Sequence, residues 1–216
     1  MTEIFFNILL AHHILGGTIG LVCGILIFIL RKGTRAHAIL GKMFIPGMLL
    51  AGITSLIMAI MHPNSFLFMV GVFTVYLVGT GARTISSKNP IANQPLDRLL
   101  QLGMVCSGLS LGYLGTVGIL NGNNFGIVYL VFASIGLLMV MQDFKNSRGQ
   151  QLDKKAYLRK HLQRLGGGFI ASSTAFLVVN IRELPDWFPV WALWLLPTLL
   201  ISPLISFHSK KYKPTP

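Results

Sequence analysis

The sequence predicts an all-α integral membrane bundle of seven transmembrane helices, with the N-terminus outside and the C-terminus in the cytoplasm. Three observations carry that expectation. First, the 216 residues are 53% hydrophobic and only 11% charged, whereas a soluble domain carries about 25% charged residues to wet its surface. That composition excludes an ordinary water-soluble enzyme, a disordered chain and a disulfide scaffold. Second, apolar runs long enough to cross about 30 Å of hydrocarbon recur along the whole chain. Third, the lysines and arginines fall on alternate connections between those runs.

The spans follow in order as one domain, residues 1–216. The first covers about Phe5 to Leu30 and stops at Arg31-Lys32-Gly33. With no basic residue before it and no small-residue cleavage site after it, this run reads as a retained span and not a signal peptide. The second covers about Met43 to Met61 and ends in the turn signal His62-Pro63-Asn64. The third runs from about Phe66 to Ala82, and the fourth from about Leu99 to Leu120, ending in Asn121-Gly122-Asn123-Asn124. The fifth covers about Phe125 to Met141 and precedes the longest polar stretch, Asp143 to Lys160. The sixth covers about Leu162 to Asn180, and the seventh about Trp187 to Phe207. Arg164 is the one charged residue within these runs. Helices are required because hydrocarbon offers no partner to free backbone groups, and the strand alternation of a barrel is absent.

Orientation follows from the cations. Arg31, Lys32, Arg35 and Lys42 join spans one and two; Arg83, Lys88 and Arg98 join three and four. Lys145, Arg148, Lys154, Lys155, Arg159, Lys160 and Arg164 lie between spans five and six, and Lys210, Lys211 and Lys213 in the tail. Seventeen of the eighteen Lys and Arg thus share one side, leaving Arg182 on the other. The positive-inside rule makes the rich side cytoplasmic, and a six-span chain would break the alternation. The net charge of +12 is therefore a topology signal and not a sign of nucleic-acid binding. Arg31, Lys32, Arg35, Lys154, Lys155, Arg159 and Lys160 are expected to meet anionic lipids at that face.

Packing is expected from small residues. Gly16, Gly20 and Gly24 on span one, Gly108, Gly112 and Gly115 on span four, and Gly167, Ala171 and Ala175 on span six allow close helix approach. The seam is read as internal, with a second copy or another membrane protein as the alternative partner. Pro46, Pro197 and Pro203 should bend spans two and seven. Trp187, Trp191 and Trp194 read as interfacial anchors. Cys23 and Cys106 lie on different spans and read as packing thiols.

Chemistry has few residues to rest on. The spans contain no Asp or Glu, so acid-pair catalysis and an acidic proton relay are unsupported. Nucleotide-binding and hydrolase motifs are absent, and no lysine on span seven could hold retinal. Histidine remains. His12, His13 and His62 form an outer set, His37 and His161 an inner pair, and His208 lies in the tail. Imidazole at a membrane boundary can ligate haem or a transition metal, or move protons, or simply hydrogen-bond at the interface. His37, His161 and His13 are candidate cofactor ligands, for haem b or a metal; His12 and His62, with Met58 and Met61, are the weaker metal candidates.

The run Leu30-Arg31-Lys32-Gly33-Thr34-Arg35-Ala36-His37-Ala38-Ile39-Leu40-Gly41-Lys42, with His13, Gly17 and Gly24 before it, Gly71 to Tyr76 after it, and His161, Thr174 to Asn180 and Trp194 to Thr198 later, carries a resemblance. It is similar to a family of bacterial multi-pass membrane proteins of unknown function, closest to Bacteroidetes-type members. The resemblance covers most of the chain, least distinctively its middle. The family's Arg-x-His-x-x-x-Gly hallmark and later histidine correspond to Arg35, His37, Gly41 and His161, while Leu165 departs from an expected methionine. The resemblance implies the membrane fold and singles out these positions, but implies no activity.

Three function classes stand at this level. One is a membrane component or accessory protein without chemistry of its own; another is a haem- or metal-dependent redox protein. The third is a transporter with a polar path through Asn7, His13, Ser55, Thr74, Ser107, Ser110 and Thr174.

Overall fold

A computed structural model describes residues 2–86, 95–147, 154–183, 185 and 190–211. Those residues form seven long α-helices and one short 3-10 turn, with no strand among them. The helices are α1 (Thr2–Ile29), α2 (Arg35–Met61), α3 (Ser65–Ser86), α4 (Pro95–Leu120), α5 (Gly126–Ser147), α6 (Lys154–Val179) and α7 (Val190–Lys210). The first six are long and apolar enough to cross a membrane. The last carries Pro197 and Pro203 within an unbroken helix.

Helix ends are fixed by local chemistry. Thr34 caps α2, its hydroxyl accepting the His37 N–H at 3.2 Å, and Asn64 caps α3 by accepting the Leu67 N–H at 3.0 Å. At the end of α4, Asn123 N–H donates to the Gly118 carbonyl and Gly122 N–H to that of Ile119. That pair of bonds is a Schellman motif, with Gly122 at φ +78 in the left-handed position it requires.

The helices α2 to α6 each run past their apolar stretches on the cation-rich side. α2 begins at Arg35 and not Met43, α3 continues to Ser86, and α4 begins at Pro95. α5 extends to Ser147 and α6 begins at Lys154. Much of the segment read as a polar loop after Met141 is therefore helix. Backbone hydrogen bonds propagate into a polar flank at little cost, so apolar content underestimates helix length.

α3 and α6 pack together at the centre. α2 and α4 lie against α3, α7 and α1 against α6, with α1 also on α2 and α5 on α4. The core follows these seams: Phe66, Met69, Phe73, Tyr76, Leu77 and Met104 in one cluster, and Cys23, Phe44, Met48, Val78 and Phe169 in another. Small residues set the distances. A Cβ on Gly16 would lie 2.7 Å from the Gly47 carbonyl oxygen, and one on Gly24 would strike the Phe169 ring at 2.4 Å. Gly108 and Gly115 do the same against α5, while Gly112 faces open space. Apart from Gly112, the glycines of these stripes meet neighbours in the same chain.

The outward faces carry large apolar side chains, among them Ile29 at 75% exposure and Leu120 at 80%. Such surfaces suit lipid and not water. Trp194 makes edge contacts with Phe66 and Phe125 at 4.2 and 5.3 Å between ring centres, so it packs among helices instead of anchoring at the interface. Trp187 and the side chain of Trp191 lie outside the described residues. Cys23 is buried and Cys106 exposed, both as free thiols.

Candidate ionic site at the cation-rich end of the bundle

The expectation of spans without a carboxylate is overturned by Asp143. Because α5 continues beyond Met141, this residue lies on the helix and is only 4% exposed. Its carboxylate takes three partners. Oδ2 accepts from the Tyr76 hydroxyl at 2.6 Å, while Oδ1 accepts from Arg164 Nη2 at 2.9 Å and pairs with Lys160 Nζ at 2.8 Å. Arg164, also 4% exposed, donates further to the Met139 carbonyl at 3.1 Å and holds its guanidinium 5.0 Å from the centre of the Tyr76 ring. α3, α5 and α6 each supply a member. Taking these charges out of water is costly, and close multiple bonding offsets that cost.

Gly81 on α3 makes the arrangement possible. A Cβ there would lie 2.9 Å from Arg164 Cβ and 2.8 Å from Leu165, so glycine lets α6 approach. The Gly81 carbonyl then accepts a hydrogen bond from His161 Nδ1 at 2.8 Å, leaving Nε2 as the imidazole's remaining polar atom. His161 precedes Arg164 by one turn on the same face of α6.

The inner histidines, His37 near the start of α2 and His161 in α6, both lie half-buried at the cation-rich end. Lys32 bonds to the terminal carbonyls of α1, reaching Phe28 at 3.2 Å, Leu30 at 3.4 Å and Ile27. Burial there holds its ammonium below the ordinary lysine value. Two buried side-chain nitrogens lack hydrogen-bond partners among the described residues, His37 Nδ1 and Arg164 Nη1. The charges do not balance among the described residues. Asp143 faces both Arg164 and Lys160, and Asp97 is already bound to Arg83 through two bonds, one of 2.9 Å.

The outer histidines are not assembled in this way. His13 Nδ1 donates to the Ala51 carbonyl at 2.9 Å with the Thr54 hydroxyl 3.4 Å away, linking α1 to α2. His12 bonds to the Ile8 carbonyl of its own helix at 2.7 Å, and His62 stands edge-on to Phe6. No group of three or more His, Cys, Asp or Glu among the described residues is placed to hold a metal. Of the supposed polar path, Thr74, Ser107 and Thr174 are buried, but Asn7 and Ser110 lie on exposed faces. Arg31 and Arg35 are exposed at the same end as the ionic site, as is Lys155 at the start of α6.

Asp143 and Tyr76 were the residues that sequence reading missed. One signal pointed to the first: an arginine inside an apolar helix calls for an acid, and the chain has only six. Tyr76 had no comparable signal. No family model, curated protein or solved structure matches this chain.

Proposed function

We propose that this chain is a multi-pass protein of a bacterial inner membrane, with seven spans, the N-terminus outside and the C-terminus cytoplasmic. In this reading it is a membrane component or accessory protein that acts through the ionic site at its cytoplasmic end. The observation that carries the reading is the Asp143–Arg164 pair, both 4% exposed inside an otherwise apolar bundle. Ionisable groups held in membrane helices are expensive and mark working positions. The one-sided distribution of Lys and Arg supports the orientation. The resemblance at Arg35, His37, Gly41 and His161 points to the same end.

Single cysteines at positions 64, 88, 123 and 150, in a chain lacking Cys23 and Cys106, test the topology with an impermeant thiol reagent. Positions 64 and 123 should label from outside, and 88 and 150 from the cytoplasmic side only. Labelling of all four from one side overturns the reading.

A second reading, a haem- or metal-dependent redox protein, is favoured by the half-buried placement of His37 and His161 at the same end of the bundle. It requires a Soret band or stoichiometric Fe, Cu or Zn in protein purified in mild detergent, and their absence removes it.

A further inference from the structure

α4 packs closely on α5 and less closely on α3, and its outer half leaves a cavity toward α2 and α3. The cavity has a volume of about 480 Å³ and runs from Asn64 and Ser65 at its outer mouth inward to Gly103. Small side chains on α4 create it: no atom lies within 4 Å of the place a Gly103 Cβ would take. No charged residue lines it, and the connections Pro63-Asn64 and Asn121-Gly122-Asn123-Asn124 at that end hold no Lys or Arg. A charged ligand would leave water there without a counter-charge, so the chemistry suits a neutral one.

Ser107 adds a polar demand. It lines the cavity at 8% exposure, and its hydroxyl bonds to no other described residue. Ser110, by contrast, donates to the Cys106 carbonyl at 2.9 Å. A buried hydroxyl without a partner is costly, so Ser107 calls for an acceptor oxygen on whatever fills the space. Shape decides the rest. Between Gly103 and Leu114 the cavity follows α4 for about 16 Å, at 1.5 Å per residue. Its section is therefore about 30 Å², against roughly 80–110 Å² for a helix 10–12 Å across. A helix of a second copy is too wide, whereas a single extended chain fits.

We propose that this cavity binds the acyl ester of a neutral glycerolipid. The ester carbonyl accepts from Ser107, the glycerol hydroxyls meet Asn64 and Ser65, and the acyl chain runs past Gly103. Asn64 Oδ1 already accepts the Leu67 N–H, which leaves its amide N–H for the glycerol. The site lies at the opposite end of α3 from the ionic cluster, and it rests on the membrane reading given above. Cysteine labelling tests that reading separately, so correct labelling without lipid binding overturns this proposal alone.

The experiment uses the full chain carrying Cys23→Ala, lipid-depleted in mild detergent, so that exposed Cys106 in the cavity wall is the single thiol. Its alkylation by a maleimide is followed during titration with monoolein, phosphatidylglycerol and octadecane. Monoolein should slow alkylation saturably, at a concentration about fivefold lower than either of the others, as one hydrogen bond predicts. Ser107→Ala should weaken monoolein by the same factor of about five. Gly103→Leu fills the open space and should weaken it about tenfold, the equivalent of overpacking a fitted site. Gly112→Leu is the control: it also meets nothing within 4 Å, but it stands half a turn away on α4. Affinity there should stay within about twofold, as for a distant site. Ser107→Ala and Gly103→Leu act independently, so either folded variant reads the effect. No saturable protection, equal protection by octadecane or phosphatidylglycerol, or losses no larger than in Gly112→Leu overturns the proposal.

Discussion

Arg164 lies where an apolar helix should hold no charge, and its surroundings explain how it is kept. Asp143 supplies the counter-charge, Tyr76 adds a hydrogen bond and an aromatic face, and Lys160 completes the carboxylate's partners. Removing one member leaves the others buried. Asp143→Asn should destabilise the detergent-solubilised protein by about 3–5 kcal/mol, the cost of an orphaned buried charge. Tyr76→Phe should cost less, about 1.5–3 kcal/mol, because one bond to a charged group is lost while the packed ring remains. Combining Asp143→Leu with Arg164→Met should recover much of the loss, since well-packed apolar residues replace a buried pair at little net cost. Chemical or thermal unfolding of these variants, with Asp143→Leu and Arg164→Met also made singly, reads this coupling, and strictly additive losses would contradict it.

Among the helices, the same residue type has different consequences according to what faces it. Gly16 meets a backbone carbonyl of α2, which cannot move aside as a side chain can. Gly16→Ala should therefore force α1 and α2 apart and cost about 1–3 kcal/mol, in the range of overpacked cores. Gly112 belongs to a similar stripe on α4 but meets nothing within 4 Å. Gly112→Ala should be neutral or mildly stabilising, by up to about 1 kcal/mol of helix propensity. Folded yield and melting midpoint distinguish the two, and equal effects would contradict the assignment of packing to particular glycines. Gly122 follows a third logic. At φ +78 it closes the α4 terminus, and Gly122→Ala should cost about 1 kcal/mol through backbone strain and not through contact.

At the scale of the molecule, the cationic helix extensions and the ionic site occupy one end. The sequence assigns seventeen of the eighteen Lys and Arg to the connections and tail expected on that side. Transferring that excess should transfer the orientation. Replacing Lys154, Lys155, Arg159 and Lys160 by Gln, with lysines added beside Asn64 and Asn123, should give a mixed population in the cysteine-labelling assay. A wholly unchanged orientation would mean that charge does not set the topology.

The sequence by itself determined the medium, the helical class, the rough span positions and the shared side of His37 and His161. Those properties depend on local composition and on the parity of the connections, which a linear chain displays. It also displayed the glycine stripes, but not which members would be occupied. The tertiary structure decided that Gly16 packs and Gly112 does not, and that Trp194 joins an aromatic cluster. It also decided that His161 is oriented by Gly81, eighty residues away in the chain. Asp143 marks the boundary most clearly. Apolar content ends at Met141, so the sequence alone placed this acid in a loop; helix continuation and the approach of α6 buried it against Arg164. Burial of a charge is decided by partners distant in sequence, because its free energy depends on the surrounding dielectric and on the groups that compensate it.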